Sequence, residues 1–483
     1  MYKRQAPVLA QPPDINPPAA LKPPVAAEEL AHRDFDDSEF WREIPAYREV
    51  DRAQFMDHRF QGRNSVTSLD DLEAAVGELV PEGFFADVRK GMRRAPMALR
   101  LSPYIVSRID WSRPWVDPLR IQFVPVGSSA RPDHPRLSLD SLHEQLDAPT
   151  PGLVHRYTDK ALFLALDVCP IYCRFCTRSY AIGGDTNSVD KVDLKPNPRR
   201  WEKAFAYLAS RPEIEDVVVS GGDAYILPPA HLTTIGETLL SIPHIRRIRF
   251  ATKGPAVMPM KILSDEAWTA ALVDICDKGR RLQKEVCLHT HFNSTAEISE
   301  LTRRAMDRLF SLGVTVRNQS VLIRGVNDDP GDMTELIKML SFINVQPYYV
   351  YQHDMVKHVE ELRTTVEATT EIEREVRGTT AGFNCPLFIV DLPGGGGKRD
   401  VHSYDHYEPT TGISVYRSPA VDPDKAYLYF DPIHELPEEG RRRWHTAGEE
   451  ESMVREAIAA AGLEELSPAL PSRQVQGPTR LPW

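Results

Sequence analysis

The chain has 483 residues, with 58 Lys and Arg against 69 Asp and Glu, a net charge of −11, and 42% apolar residues. This composition is typical of a globular protein and disfavours nucleic acid as a partner, because phosphate binding relies on clustered basic residues. No run approaches the roughly 20 apolar residues of a membrane span, and six cysteines in so long a chain do not suggest a disulfide framework. We therefore predict a cytoplasmic protein that acts on a small molecule, without a membrane or nucleic-acid partner.

The N-terminal third of the chain divides into an arm and a helical region. Residues 1–34 are rich in Pro and lack apolar periodicity, which predicts a disordered arm. Residues 35–150 predict a helical region, because 68–80 and 82–109 carry apolar residues at helical spacing, with Ser68 as a candidate N-cap.

Residues 151–400 alternate between short β-rich runs and helix-like segments. The runs are "ALFLAL" (161–166), "DVVVS" (216–220), "IRRIRFAT" (245–252), "EVCLHT" (285–290), "VTVRNQS" (314–320), "VQPYYVY" (345–351) and "PLFIVDL" (386–392). This alternation predicts an α/β fold of βαβ units around a parallel sheet. Six such units favour a partial (βα)6 TIM-like barrel, with an open doubly wound sheet as the alternative. In either arrangement functional groups gather at the C-terminal ends of the strands.

The last part of the chain, residues 401–483, is rich in Pro and charge. We predict a C-terminal extension with one late helix near 449–462, which wraps the domain or contacts another copy of the chain.

Three cysteines, Cys169, Cys173 and Cys176, follow the first predicted barrel strand at C-x3-C-x2-C spacing. A closed zinc site needs four ligands, and the other cysteines do not form a second pair. Three thiolates suit a [4Fe–4S] cluster whose fourth iron is open to a non-protein ligand, with a chance grouping as the alternative.

This motif, with Phe175 before its last cysteine, resembles that of the radical S-adenosylmethionine (SAM) superfamily. The resemblance implies a barrel of the radical SAM type, in which the open iron binds SAM and an electron from the cluster cleaves it. "SGGD" (Ser220, Gly221, Gly222 and Asp223) resembles the superfamily's glycine motif, which meets the methionine amino group.

A second glycine-rich stretch, "DLPGGGGKRD" (391–400), ends in Lys398. A phosphate-binding P-loop requires Ser or Thr after the lysine, where this chain has Arg399. Two interpretations stay open from these residues alone: a flexible turn with a solvated lysine, or a lysine that forms a Schiff base with pyridoxal phosphate (PLP).

Five motifs together resemble the lysine 2,3-aminomutase family: "HRYTDK", "THFN", "NQSVLIRGVND", "PYYVYQHD" and "VDLPGGGGK", in this order within about residues 85–420. The resemblance implies transfer of the α-amino group of L-lysine to its β-carbon, with PLP on Lys398. L-Arginine or another basic amino acid is the alternative substrate. A radical SAM enzyme that modifies RNA and a PLP protein with a structural or redox cluster are the alternative classes.

The same resemblance implies the roles of individual residues. Arg178 binds the substrate α-carboxylate, while Asp354 and Asp391 bind the distal ammonium, a pairing worth about 4 kcal/mol per charge pair at 4 Å and an effective dielectric of about 20. The implied PLP contacts are Arg156, Tyr157, Lys160, Ala224 and Lys398. The implied SAM contacts are Ser220, Gly221, Gly222, Asp223, His291 and Gln319.

The resemblance also implies partners and one absence. We expect a reductant protein such as flavodoxin or ferredoxin, and a homo-oligomer. We expect no structural zinc, because Asp329 follows "GVND" where some relatives have Cys, and no cysteine follows Cys385.

Overall fold

A nine-stranded sheet forms the centre of the fold in the computed structural model, which describes residues 35–470. The predicted Pro-rich arm of residues 1–34 lies outside the described residues, and the described residues from Asp37 onward form one compact unit. The strands are β1 Leu153–Tyr157, β2 Lys160–Leu166, β3 Asp216–Gly221, β4 Arg247–Ala251, β5 Glu285–Thr290, β6 Thr315–Val321, β7 Gln346–Tyr351, β8 Leu387–Leu392 and β9 Gly397–Asp400.

The strands follow one another around the sheet in chain order. β2 to β8 are parallel, and β1 and β9 are antiparallel edge strands. A doubly wound sheet would reverse its strand order at a switch point, and this order never reverses. The structure thus confirms the predicted partial barrel and excludes the open alternative.

Helices cover the outside of the sheet and build the N-terminal region. The N-terminal helices are α1 Arg52–Met56, α2 His58–Arg63, α3 Leu69–Val76, α4 Phe84–Met92, α5 Pro103–Arg108 and α6 Pro118–Phe123. The barrel helices are α7 Pro198–Ser210, α8 Pro229–Ser241, α9 Gly254–Val257, α10 Met260–Ser264, α11 Glu266–Arg281, α12 Glu300–Ser311, α13 Pro330–Phe342 and α14 Val366–Val376. In the described part of the chain, no helix is long and apolar enough to cross a membrane.

Local sequence explains where the N-terminal helices begin. The Ser68 hydroxyl accepts a hydrogen bond from the Asp71 amide at 3.0 Å, as its predicted N-cap role requires. The helical pattern over 82–109 is interrupted, because Pro103 cannot continue a helix from upstream and instead begins α5 with Ser102 as its cap.

The C-terminal extension contains a second sheet that the sequence interpretation missed. Its strands are β10 His406–Glu408, β11 Ile413–Ser418, β12 Asp422–Phe430 and β13 Ser467–Ala469, and its helices are α15 Glu438–His445 and α16 Glu449–Ala460. The late helix predicted near 449–462 corresponds to α16, which begins at Glu449 and ends at Ala460. The sequence did not predict the strands of this second sheet, because the Pro- and charge-rich segments that flank them dominate the composition of residues 401–483.

This second sheet supports the loop that follows β7. The Tyr429 hydroxyl on β12 donates to the backbone oxygen of His353 at 2.8 Å, and the side-chain amide of Gln352 donates to the Tyr429 hydroxyl at 3.0 Å. The C-terminal extension therefore fixes the backbone next to Asp354, one of the predicted substrate-binding residues.

Candidate active site

The cysteine loop begins where β2 ends, and the glycine motif after β3 packs against its entry. The Gly222 amide donates to the Leu166 oxygen at 2.6 Å, and the Asp223 amide donates to the Val168 oxygen at 2.9 Å. A Cβ at Gly222 would lie 2.3 Å from the Val168 oxygen, and Gly221 has a φ of +110°. Glycine is required at both positions, at Gly222 by the close approach and at Gly221 by the positive φ. The motif thus positions the cysteine loop, whatever else it binds.

The N-terminal helical region holds the other side of the cysteine loop. The Tyr172 amide donates to the Arg100 oxygen at 3.1 Å, and the Arg174 amide donates to the Gln122 oxygen at 2.9 Å. Arg174 also donates from Nη1 to the Ile121 oxygen at 2.9 Å. Main-chain groups on both sides therefore fix the path of the three cysteines.

The three thiols are partly buried and influence one another. Burial raises the pKa of Cys169, Cys173 and Cys176, and neighbouring thiolates raise the pKa of the first two further. Lys253 acts in the opposite direction on the pKa of Cys173, and Arg178 does so for Cys176. Thiolates in such a place need the charge of bound metal, so the donor set fits an iron–sulfur cluster.

Within residues 35–470, no three His, Cys, Asp or Glu side chains converge closely enough to hold one metal ion. A [4Fe–4S] cluster does not require that convergence, because each of its thiolates binds a different iron atom.

The β8–β9 hairpin brings Lys398 against Asp391. The two residues are paired across the hairpin, and Lys398 Nζ donates to Asp391 Oδ2 at 2.5 Å. Burial would raise the pKa of Asp391, but the charges of Lys398 and Arg156 outweigh it and lower that pKa. Burial would likewise lower the pKa of Lys398, but Asp391 outweighs it and raises that pKa well above the ordinary value. The pair is therefore an ammonium–carboxylate ion pair.

The segment predicted to contact PLP lies beside this hairpin. The Lys398 amide donates to the Tyr157 hydroxyl at 2.7 Å, and Lys160 Nζ lies 4.3 Å from the centre of the Tyr157 ring. Arg156 Nη1 is 3.9 Å from Asp391 Oδ1, while its Nε donates to Asp147 Oδ2 at 2.6 Å. The structure thus brings Arg156, Tyr157 and Lys160 together with Lys398. The two cations of this set, Arg156 and Lys160, would suit a phosphate-bearing cofactor bound next to Lys398.

Ala224 is buried at the start of the 3-10 turn after β3. Its predicted contact with PLP stays a prediction, as do the PLP and SAM roles of the other residues.

Asp354 follows β7 and is the second predicted ammonium ligand. Its Oδ2 accepts a hydrogen bond from the Thr177 hydroxyl, whereas its Oδ1 is buried and has no hydrogen-bond partner among the described residues. Asp391 Oδ1 is also buried without one. Burial and then the charge of Asp391 raise the pKa of Asp354 to about 7. Buried carboxylate oxygens without donors are costly, so these two together form a site suited to a cation.

Arg178 has a partner that the sequence interpretation missed. Its Nε and Nη2 donate to the two carboxylate oxygens of Glu144, at 2.9 and 2.7 Å, and the Tyr180 hydroxyl donates to Glu144 at 2.9 Å. Glu144 lies 34 residues before Arg178 in irregular chain, so no motif or periodicity indicated this pairing.

The predicted SAM contacts lie at the ends of neighbouring strands. The Asp223 carboxylate accepts from the Tyr225 and Lys253 amides, both at 2.8 Å, and so joins the ends of β3 and β4. The His291 ring stacks on Phe175 of the cysteine motif with 5.5 Å between ring centres, and its Nε2 has no hydrogen-bond partner in residues 35–470. Gln319 accepts from the Tyr351 hydroxyl at 2.7 Å.

His291 therefore lies next to the cysteine motif with a free ring nitrogen. The Asp223 carboxylate, by contrast, already accepts hydrogen bonds from two backbone amides.

Similar proteins carry consistent names. The chain is 37% identical over 362 residues to the L-lysine 2,3-aminomutase of Clostridium subterminale, covering 74% of this chain and 81% of that protein. It is 37% identical to the L-lysine 2,3-aminomutase of Bacillus subtilis, covering 74% and 71%. It is 30% identical to the glutamate 2,3-aminomutase of Clostridioides difficile, covering 71% and 75%.

Likeness to solved structures is weaker. Streptococcus suis SuiB matches over 49% of this chain and 50% of its own, with a TM-score of 0.35 and 10% identity. A radical SAM methyltransferase from Sphaerobacter thermophilus matches over 50% and 68%, with a TM-score of 0.31 and 18% identity. No family model matches the chain.

Proposed function

Because the chain belongs to the lysine 2,3-aminomutase family, an isomerase family, we propose that it converts L-lysine to β-lysine by moving the α-amino group to the β-carbon. In this proposal Cys169, Cys173 and Cys176 hold a [4Fe–4S] cluster that binds SAM, and Lys398 binds PLP. Arg178 binds the substrate carboxylate, and Asp354 and Asp391 bind the side-chain ammonium.

Two buried carboxylate oxygens carry the choice of a lysine substrate. Asp354 Oδ1 and Asp391 Oδ1 lack donors among the described residues, and the charge of Asp391 raises the pKa of Asp354. Lys398 itself supplies a primary ammonium on a four-carbon chain to Asp391 at 2.5 Å. This internal ammonium stands in for the distal ammonium of free lysine, which has the same group on the same length of chain.

The ion pair also supports an order of events at Asp391. Lys398 must lose its proton, which leaves to solvent, before its nitrogen can bond to a carbonyl carbon, and this loss ends its ion pair with Asp391 Oδ2. Asp391 is then left as a buried carboxylate with Arg156 3.9 Å away and the charge of Arg178 acting on it. A buried carboxylate in that condition favours a new cation, which the substrate provides.

The cofactors supply chemistry that these side chains lack. A cluster with SAM held at Cys169, Cys173 and Cys176 would supply radical chemistry, and PLP held at Lys398 would supply a conjugated group to which the migrating nitrogen could bond. The chain supplies orientation: Arg178 and the two aspartates fix both ends of the substrate, and the barrel excludes water.

The charge of the substrate side chain distinguishes the candidate substrates. A glutamate side chain would bring a third carboxylate to Asp354 and Asp391, which costs rather than gains electrostatic energy. L-Arginine also presents a cation, so it is the alternative substrate under the same mechanism. The broader parts of the proposal are a cytoplasmic homo-oligomer and a flavodoxin- or ferredoxin-like electron donor.

The test is anaerobic reconstitution with iron, sulfide and PLP, followed by SAM, a reductant and one of L-lysine, L-arginine or L-glutamate. Chromatography with mass spectrometry then identifies β-amino isomers. We expect β-lysine as the main product and no β-glutamate. β-Arginine in place of β-lysine would overturn the substrate, and no isomer from any of the three by a protein loaded with both cofactors would overturn the function.

A further inference from the structure

A buried carboxylate without an assigned role lies behind the guanidinium of Arg178. The side chain of Glu144 is 4% exposed, and it accepts hydrogen bonds from Arg178 Nε and Nη2 and from the Tyr180 hydroxyl. The Glu144 amide in turn donates to Asp140 Oδ1 at 2.9 Å. Glu144 is therefore fixed on both its backbone and its side chain.

The contact uses only one of the two edges that a guanidinium offers to a carboxylate. Glu144 occupies the edge formed by Nε and Nη2, and Arg178 Nη1 makes no hydrogen bond in the described part of the chain. The side chain of Arg178 is 23% exposed, so the other edge, formed by Nη1 and Nη2, is reachable. A planar guanidinium held by one edge presents the other in a fixed direction, which suits a second, bidentate carboxylate.

Arg178 also interacts with the carboxylate of Asp391, which the proposed function reserves for the substrate ammonium. The charge of Arg178 lowers the pKa of Asp391, and the charge of Glu144 raises the pKa of Asp354. Arg178 and Glu144 therefore each interact electrostatically with one of the two aspartates. The two binding groups for a zwitterionic substrate have opposite charges, and an unrestrained arginine is attracted to the aspartates. Glu144 gives Arg178 a competing partner and leaves Asp354 and Asp391 available for the ammonium.

We propose that Glu144 is a positioning residue that holds the Arg178 guanidinium toward the substrate carboxylate and away from the two aspartates. This inference rests on the proposed function, since it assumes that Arg178 receives an α-amino-acid carboxylate. It makes carboxylate recognition depend on a residue that never touches the substrate.

The experiment compares L-lysine with L-lysinamide, which keeps both amines and lacks the carboxylate. Equilibrium dissociation constants of both compounds are measured by calorimetry on holoenzyme without SAM, for wild type, Glu144→Gln, Glu144→Asp and Tyr180→Phe. The steady-state KM and kcat for lysine are measured in parallel. Glu450→Gln is the matched control, because it alters another largely shielded Glu–Arg pair, that of Glu450 in α16 with Arg136 at 2.5 Å.

The measured quantity is the preference for lysine over lysinamide. A glutamine presents one donor group to the guanidinium and loses the charge, so we expect the preference to fall about tenfold in Glu144→Gln, in line with the loss of a charge-assisted hydrogen bond. The KM for lysine rises more than kcat falls, Glu144→Asp recovers part of the preference, and Tyr180→Phe lowers it by less. Glu450→Gln leaves it unchanged.

Two results would overturn the inference. An unchanged preference in Glu144→Gln means that Arg178 is positioned without Glu144, and tighter lysine binding means that Glu144 competes with the substrate carboxylate. Should Glu144→Gln fail to fold, the Glu144→Asp and Tyr180→Phe variants decide by the same ratio. Failure of the proposed function looks different, because wild type itself would then show no preference for lysine and form no β-lysine.

Discussion

The cysteine loop and the β8–β9 hairpin are the two chemically informative regions of the barrel, and they are held in opposite ways. Around the cysteines, main-chain amides and oxygens pair with one another: Gly222 with Leu166, Tyr172 with Arg100 and Arg174 with Gln122. Around the hairpin, ionised side chains pair, as Lys398 does with Asp391. Main-chain hydrogen bonds fix the path of the backbone, whereas an ion pair can exchange one of its charged partners for a charged group of a ligand.

The difference shows in what each region leaves unsatisfied. The cysteine loop has its backbone anchored and offers only thiols, whose pKa values burial raises. The hairpin region leaves Asp354 Oδ1 and Asp391 Oδ1 without a donor among the described residues. One region therefore suits a fixed metal group, and under the proposed function the other receives a cation that arrives and leaves. Variants in the two regions should fail differently.

The largest effect is expected in the hairpin region from Lys398→Ala. Removal of the amine leaves PLP without its covalent attachment, so rearrangement should fall to background while the iron–sulfur signal persists. Product formation, borohydride trapping of PLP on the protein and electron paramagnetic resonance of the reduced cluster check this. Retained turnover would remove Lys398 from the proposed role, and a lost cluster signal would show that the two regions depend on each other.

A smaller loss is expected from Asp391→Asn. A neutral amide forfeits attraction worth up to about 4 kcal/mol at 4 Å and an effective dielectric of about 20, so kcat/KM for lysine should fall by about 10²- to 10³-fold. The control is Asp216→Asn, which removes a carboxylate paired with Arg249 at 2.8 Å at the beginning of β3. An equal loss in both variants would contradict a specific ammonium site.

In the cysteine region, Gly222→Ala should impair cluster loading. The new Cβ would lie 2.3 to 2.6 Å from backbone atoms of Val168, so the loop that leads to Cys169 must shift. We expect iron content after reconstitution to fall by at least about half, at a cost typical of overpacking, about 1–3 kcal/mol. Gly184→Ala, where a Cβ meets nothing within 4 Å, should load normally. Normal loading of both variants would show that the glycine motif does not position the loop.

The mildest effect is the pH dependence of lysine use. Burial and the nearby Asp391 raise the pKa of Asp354 to about 7, so this carboxyl is neutral below that pH and charged above it. Since kcat/KM reports the free enzyme, it should fall by up to about tenfold per pH unit below pH 7 and level off above it. Asp354→Asn should lower the plateau and flatten this acid limb. An unchanged limb in that variant would assign the titration to another group.

Stability should change in the opposite direction at the same residue. A carboxyl whose pKa is raised in the folded state from 3.8 to about 7 destabilises the protein by an amount that grows as pH rises between these two values and is full above about 7. Asp354→Asn should therefore raise the melting temperature at pH 8 more than at pH 5, as thermal unfolding of the two proteins can measure. Such a cost is expected if the proposed function requires Asp354 to keep an unsatisfied charge for its substrate.

The barrel and the cysteine site were predictable from sequence because their determinants are local. Alternating strand-like and helix-like segments predicted the seven parallel strands, and three cysteines within eight residues predicted a candidate metal-binding loop. The close packing of Gly222 against Val168 did not follow from that stretch, because it joins the end of β3 to the loop after β2. The C-terminal sheet was missed because its strands are short and lie between Pro- and charge-rich segments.

Pairings between distant charges depended on the tertiary structure. Glu144 and Arg178 are 34 residues apart, and Thr177 and Asp354 are 177 apart, with no periodic or motif spacing between them. The same holds for the contact between Tyr157 and Lys398, which joins the two edge strands across 241 residues. Sequence alone determined which residue types carry the chemistry, because the reactivity of a thiol, amine or carboxylate is intrinsic to it. Only the tertiary structure decided which charges meet and which remain unpaired, because electrostatic partners are chosen by distance in space.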